Sequence, residues 1–467
     1  MLFHSFAFFV LFTVTFVVYW WIKDHRIRVI SLVVASIVFY AHWNYLLVLL
    51  VLFSALFDFQ MARWIEASQS PFRRKALLTV SICTSLGLLA FFKYTSFLIN
   101  AVYSVAHSLG IESSVPVFQV VLPLGISFYT FETISYVVDV YRGRIKAERN
   151  FHDYALFLMF FPHLIAGPIV RPGHFLPQVK RIKYLNWQRV QAGVQLFLLG
   201  LFKKAVIADQ LANLVDPVFA SPGVYSSGTL RAAVLCYTIQ IYCDFSGYSD
   251  MAIGLAHTLG FHLPVNFNMP YFALNVADFW RRWHISLSTW LRDYLYIPLG
   301  GNRRGSARMY CNIMATMLLG GLWHGAGWTF IFWGFYHGLL LAVHRAIRWP
   351  AWLGNKMFVP FRILTTFLCV SVGWVFFRAK SFPDAWLILR RMFVPTQGLE
   401  LPPHVAMLVA AVFALVLLAH VLSSVVDWGE LLRRMPIQVV ATVVAIGFIL
   451  AQLLTPDSGG AFIYFQF

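Results

Sequence analysis

His324 is a lone ionisable ring in an apolar run, Leu318-Leu319-Gly320-Gly321-Leu322-Trp323-His324-Gly325-Ala326-Gly327. An imidazole titrates near neutral pH and can serve as a general base. The flanking glycines let a substrate or a second helix come close to the backbone. Two readings stay open on these residues alone: a base for proton abstraction, or a core histidine satisfied by its neighbours. His284 and His337 are the candidate partners. The spacing of the three matches no zinc or haem motif, so no metal is expected. No Gly-x-Ser-x-Gly elbow or other nucleophile motif is present.

A basic stretch precedes this run. On a 100° wheel Phe279, Trp283, Leu287, Trp290 and Tyr294 share one face, with Arg281, Ser288 and Arg292 opposite. That pattern predicts one interfacial helix over Phe279–Leu299, with its aromatics in the acyl region and Pro298 ending it. Its arginines, with Arg303 and Arg304 in the following loop, either grip lipid phosphates or form a cationic mouth for an anionic substrate. Elsewhere Glu132, Asp244 and Asp250 lie in apolar runs, where a carboxylate must face protein or water. Asp244 and Asp250 read as a catalytic pair or, more commonly, as helix caps or partners of an arginine of the following segment. Phe160 to Pro168 carries two prolines, a glycine and His163, which breaks any helix there. Such backbone is tolerated at membrane depth only inside protein or on a cavity.

The elements that must position these groups are membrane helices. Of 467 residues, 60% are hydrophobic and 12% charged, and mean hydropathy is +0.71, far from the roughly 25% charge of a soluble domain. About 11 to 13 segments have the roughly 20 apolar residues that a span needs. The net charge of +17 resides in short loops, the pattern of cytoplasmic loops, and no nucleic-acid-binding motif accompanies it. Met1 to Ile22 lacks a basic leader region and Lys23, Arg26 and Arg28 follow it, so the N-terminus is expected outside and uncleaved. The sequence predicts a hairpin turning near His42-Trp43-Asn44, spans at 76–92 and 96–112 separated by Lys93, and a span at 117–141 bent by Pro123 and Gly125. The five cysteines read as small buried hydrophobes.

Together these motifs resemble the membrane-bound O-acyltransferase family. The likeness rests on Trp280-Arg281-Arg282-Trp283-His284-Ile285-Ser286-Leu287-Ser288, Trp290-Leu291-Arg292-Asp293-Tyr294 and Gly320-Gly321-Leu322-Trp323-His324-Gly325. Pro123 to Phe128, Phe161 to Pro168 and Asp244 to Asp250 add to it. Within the family the chain resembles the bacterial branch that acylates cell-envelope polymers, alginate and cellulose first, peptidoglycan next. The resemblance implies an all-α polytopic domain over residues 1–467, with its catalytic motifs at about 117–347, forming a ring of helices around a transmembrane tunnel. It makes His324 catalytic and His284 the second tunnel histidine, and it puts His163, Trp323, Asp244 and Ser246 on the tunnel.

It further implies acetyl-CoA as co-substrate, with no bound cofactor, its phosphates met by Arg281, Arg282, Arg292, Arg303 or Arg304. The ending Phe462-Ile463-Tyr464 resembles a motif that offers its tyrosine to the tunnel from outside, so Tyr464 is a candidate acyl carrier. The implied partners are a periplasmic SGNH/GDSL-like acetyltransferase, a polysaccharide synthase and export complex, and membrane lipids, at the bacterial inner membrane. A rival reading is a transporter of acetyl groups or polymer that does no chemistry.

Overall fold

Polar residues set where each apolar run begins to coil. The computed structural model describes residues 1–111, 120–347, 355–423, 426 and 434–454. Ser5 caps α1 (Phe6–Trp21), Asp24 caps α2 (His25–Ala41), Asn44 caps α3 (Tyr45–Ala67) and Ser70 caps α4 (Pro71–Ser108). In each case a side-chain oxygen accepts an amide hydrogen that the first turn cannot bond internally. The turn at His42-Trp43-Asn44 joins α2 to α3 as the sequence predicts.

Lys93 does not divide two spans. It lies within the 38-residue α4, with its Nζ 3.5 Å from Ser127 Oγ of α5 (Ile126–Tyr141). Lysine is a good helix former, so a polar neighbour at depth suffices to keep the helix whole. The predicted bend at Pro123 and Gly125 is instead a helix start. Gly125, at φ +74°, caps α5, and a Cβ there would lie 2.3 Å from the Leu164 carbonyl oxygen. Residues 117–119 of that predicted span lie outside the described residues.

The chain divides into two units: Met1–Val194 with Met251–Pro264, and the described residues of Gln195–Asp250 with Val265–Phe467. In the first, α3 packs against α4, α5 and α6 (Phe151–Met159). Beyond α6 come the single turn α7 (Phe161–Leu164) and α8 (Pro172–Lys180). Every residue from Phe160 to Val170 is buried, so the broken backbone is enclosed by protein. Asp58 is buried there as well, accepting hydrogen bonds from Ser81 Oγ at 2.6 Å and Ser85 Oγ at 3.3 Å.

α9 (Trp187–Leu201) leads into the second unit through a π-helical stretch, Phe202–Ala208, to α10 (Asp209–Ala220) and the long α11 (Ser227–Thr258). There α12 (Val276–Arg282), α13 (Ile285–Leu291), α14 (Gly305–His324) and α15 (Trp328–Ala346) frame the motifs of interest. α16 (Val359–Arg378), α17 (Phe382–Phe393), α18 (Pro403–Ser423) and α19 (Ile437–Leu454) complete it. Among the described residues the one β feature is an isolated bridge, Tyr225 to Leu399.

Five helical stretches among the described residues are long and apolar enough to cross a membrane: Tyr45–Ala67, Pro71–Ser108, Trp187–Ala220, Lys356–Arg378 and Pro403–Leu422. The apolar side chains of α4 and α18 point largely outward, as lipid contact requires when no water is present to drive burial. The protein is an all-α, multi-pass membrane protein.

Candidate active site

The predicted interfacial helix is broken near its start. Asn275 caps α12 by accepting from Asp278 N at 2.9 Å, and α12 ends at Arg282. His284 then takes φ +43°, ψ +55°, a left-handed conformation uncommon for residues other than glycine. Asn266 holds the break. Its backbone oxygen accepts from Ile285 N at 2.9 Å, and its Oδ1 accepts from Ser286 N at 3.2 Å and Ser286 Oγ at 2.8 Å. Its Nδ2 reaches Ser249 Oγ at 3.4 Å. Non-glycine residues persist in such conformations only where the surroundings over-determine them, and they cluster at functional sites.

The aromatic face of this stretch also looks inward rather than to lipid. Phe279, Trp283, Leu287 and Trp290 are all buried, and Trp283 packs on Phe279 and Trp374 with centroids 5.5 and 4.9 Å away. A helical wheel gives the phase of an apolar face, not the medium that face meets.

His324 is the last residue of α14. Gly325 to Gly327 turns the chain into α15, so the two helices run antiparallel. Glycines bring them together: a Cβ on Gly321 would lie 2.3 Å from the Phe330 oxygen, and one on Gly334 would lie 2.2 Å from the Met317 oxygen. Small residues allow this backbone approach between membrane helices. The imidazole of His324 is walled by Trp323 and Trp333, each 5.0 Å away, and by Phe377 at 5.3 Å. His284 stands 6.4 Å from it, against Phe245 at 4.6 Å.

A cavity of about 530 Å³ opens on this histidine. One face of α14 lines it, from Ile313 through Thr316, Met317 and Gly320 to His324. The eleven helical rises from Ile313 to His324, at about 1.5 Å each, give it a length of about 16 Å. From α15 it takes Trp333 near the start and Leu341, His344 and Arg345 at the end, a reach of about 18 Å by the same rise. Trp280, Leu287, Ser288, Leu291, Arg292 and Tyr296 close the opposite side. The two ends differ. His324 and Trp333 are 4% and 1% exposed, whereas Arg292 and Arg345 are exposed. The cavity thus runs from a cationic mouth to a buried imidazole. Asp293 Oδ1 accepts from Arg292 Nε at 2.7 Å, which raises the guanidinium's pKa and holds it charged.

Of the predicted donor-binding residues, only Arg292 lines this cavity. Arg281 and Arg282 pair with Asp278 of their own helix, at 3.5 and 3.1 Å, and Arg303 and Arg304 are exposed on the loop after the π-helical turn Arg292–Tyr296. His344 and Arg345 do line it and carry no motif that marks them. Trp323 is buried between His324 and His284. Asp244 is held by Lys204 at 2.6 Å, a lysine that also pairs with Asp209 at 2.7 Å, and Asp250 is held by Lys203 at 2.6 Å. The carboxylates of that motif therefore meet lysines of the preceding segment, not arginines of the following one. Ser246 is buried on the same helix. His163 belongs to the first unit, where its Nε2 lies 3.5 Å from Glu132 Oε2 and 3.1 Å from the Phe157 oxygen. His337 does not join the other two histidines: the Trp333 indole touches both it and His324, at 4.9 and 5.0 Å. No group of three metal-binding side chains forms among the described residues. Tyr464 lies outside them.

Residues 146–350 match the model of MBOAT, the membrane-bound O-acyltransferase family. A probable alginate O-acetylase AlgI of Azotobacter vinelandii is 43% identical over 428 residues, 91% of this chain and 84% of that protein. Its counterpart in Pseudomonas aeruginosa is 43% identical over 84% of this chain and 75% of its own length. A peptidoglycan O-acetyltransferase of Helicobacter pylori is 41% identical over 77% and 73%.

Proposed function

The chain belongs to the membrane-bound O-acyltransferase family, and from that membership we propose that it passes acetyl groups from acetyl-CoA to an exported polysaccharide, with alginate the leading acceptor. The observation that carries the reading is the cavity's polarity, cations at its mouth and His324 at its buried end. Arg345, His344 and Arg292 meet the phosphates of the donor. The pantetheine arm lies along the α14–α15 face, whose length of about 16 to 18 Å suits an extended chain of that kind. The thioester then sits beside His324.

The chemistry needs one base that can also return its proton. An acceptor hydroxyl gives its proton to the His324 imidazole as its oxygen bonds to the thioester carbon. The carbon–sulfur bond breaks, and the departing thiolate takes the proton back from the imidazolium. The products are an ester, CoA thiol and a neutral histidine. His284, held 6.4 Å away, orients the acceptor side. The acceptor is the Tyr464 phenol, and the ester faces the periplasm. There a partner acetyltransferase of the SGNH/GDSL kind moves the acetyl group to a polymer hydroxyl and restores the phenol. Division of one transfer into two lets the acetyl group cross a membrane that CoA does not cross. On this reading the protein sits in the inner membrane with its N-terminus periplasmic, beside the polysaccharide synthase and export machinery.

The test is purified protein with acetyl-labelled CoA. Release of CoA together with a labelled protein adduct that disappears in Tyr464→Phe supports the reading. A wild-type protein that releases no CoA and takes no label overturns it in favour of a transporter. Peptidoglycan is the second acceptor, favoured by the Helicobacter pylori relative; incubation of the acylated protein and the partner acetyltransferase with each polymer separates the two.

A further inference from the structure

We propose that Trp333 is the specificity-determining residue of this site: it closes the acyl end of the cavity and limits the transferred group to two or three carbons. The inference rests on the donor reading above. The cavity has one exposed, cationic end and one buried end, and the buried end is made by His324 and Trp333. A thioester presented to His324 points its acyl substituent at the aromatic wall around that imidazole. Trp333 is the member of that wall, at 5.0 Å from the imidazole, that also lines the cavity.

Its indole cannot swing aside. Trp374 stacks on it at 5.8 Å with planes 20° apart. Trp280 meets it edge-on at 5.7 Å, Phe377 at 5.2 Å and His337 at 4.9 Å. The backbone beneath is equally fixed, because Gly334 is in contact with Met317 of α14. The mouth and shaft can therefore accept the whole donor while the far end rejects length in the acyl group. One methylene in an apolar pocket changes specificity by about 10- to 200-fold, so a fixed indole is enough to discriminate acetyl from butyryl.

The experiment compares acetyl-CoA and butyryl-CoA as donors for purified wild type, Trp333→Leu and Trp333→Ala, with CoA release as the readout. The expected result is that the butyryl-to-acetyl ratio of kcat/KM rises at least tenfold in Trp333→Leu and further in Trp333→Ala. Trp333→Phe covers the case in which the smaller residues fail to fold; it should favour propionyl-CoA over acetyl-CoA several-fold more than wild type does. Active variants whose ratios equal the wild-type ratio overturn the proposal. Failure of the donor reading looks different, since wild type then releases no CoA from any thioester.

Discussion

His163 and His324 are two buried histidines in aromatic surroundings, and they differ in what lies beside them. His163 packs on Phe160 and Phe175, with Glu132 at 3.5 Å and a backbone oxygen at 3.1 Å. Glu132 in turn accepts from Val170 N at 2.9 Å. This cluster locks the broken backbone of Phe160 to Val170 against α5. His324 also sits among aromatic rings, but one side of it faces a 530 Å³ cavity with a charged mouth. Burial and aromatic packing are common to both, so neither marks a reactive histidine. On the proposed reading, what distinguishes His324 is its access to a space that a substrate can fill.

That contrast can be broken by experiment. The largest effect is expected at His324→Ala, where loss of a general base lowers turnover by about 10²- to 10⁴-fold while the amount of folded protein is unchanged. Transfer at near wild-type rate would remove His324 from the chemistry. Next comes Glu132→Gln. Disturbing a buried hydrogen-bonded carboxyl costs about 1 to 3 kcal/mol, which should appear as a fall in thermal stability in detergent, with per-molecule turnover retained in whatever remains folded. A stable Glu132→Gln protein that had lost turnover would place the first unit's histidine in the reaction as well.

A smaller effect is expected at the mouth. Arg345→Ala should raise KM for acetyl-CoA by about tenfold, the worth of roughly 1.4 kcal/mol of binding, with kcat little changed, whereas Arg281→Ala should leave both as they are. The reverse outcome would return the donor's phosphates to α12. Smallest is a stability difference at the break. His284→Gly should be more stable than His284→Ala by about 1 kcal/mol, because glycine adopts the left-handed conformation at no steric cost. Equal stabilities would mean that the backbone relaxes there when the ring is removed.

Much of this was legible in the sequence, and the gaps have physical causes. His324 and its glycines stand out because a polar ring in an apolar run is costly and small residues beside it imply close packing. The break at His284 was not legible. Its neighbours are ordinary helix residues, and the interruption is imposed by Asn266, eighteen residues earlier. Arg281 and Arg282 read in the sequence as open cations because nothing there shows that Asp278, one turn upstream, pairs with both. Arg345 and His344 reach the cavity with no motif around them to mark it. They matter through the phase of α15 against α14, which the sequence of either helix alone does not contain. Asp244 and Asp250 were rightly read as partners in ion pairs, with the wrong cations, since Lys203 and Lys204 lie some forty residues away.

The α14–α15 hairpin constrains how such a chain can change over generations. Its two helices, pinned at Gly321 and Gly334, act as a rule whose marks are residues. One residue inserted between Trp333 and Arg345 would turn everything beyond it by about 100° and advance it by about 1.5 Å. Arg345 would then leave the cavity mouth while His324 stayed in place. Substitutions along this face can accumulate one at a time, but insertions and deletions cannot. Descendants that keep the same donor should therefore preserve the spacing from Ile313 to Arg345 to the residue, even where few of the intervening letters survive.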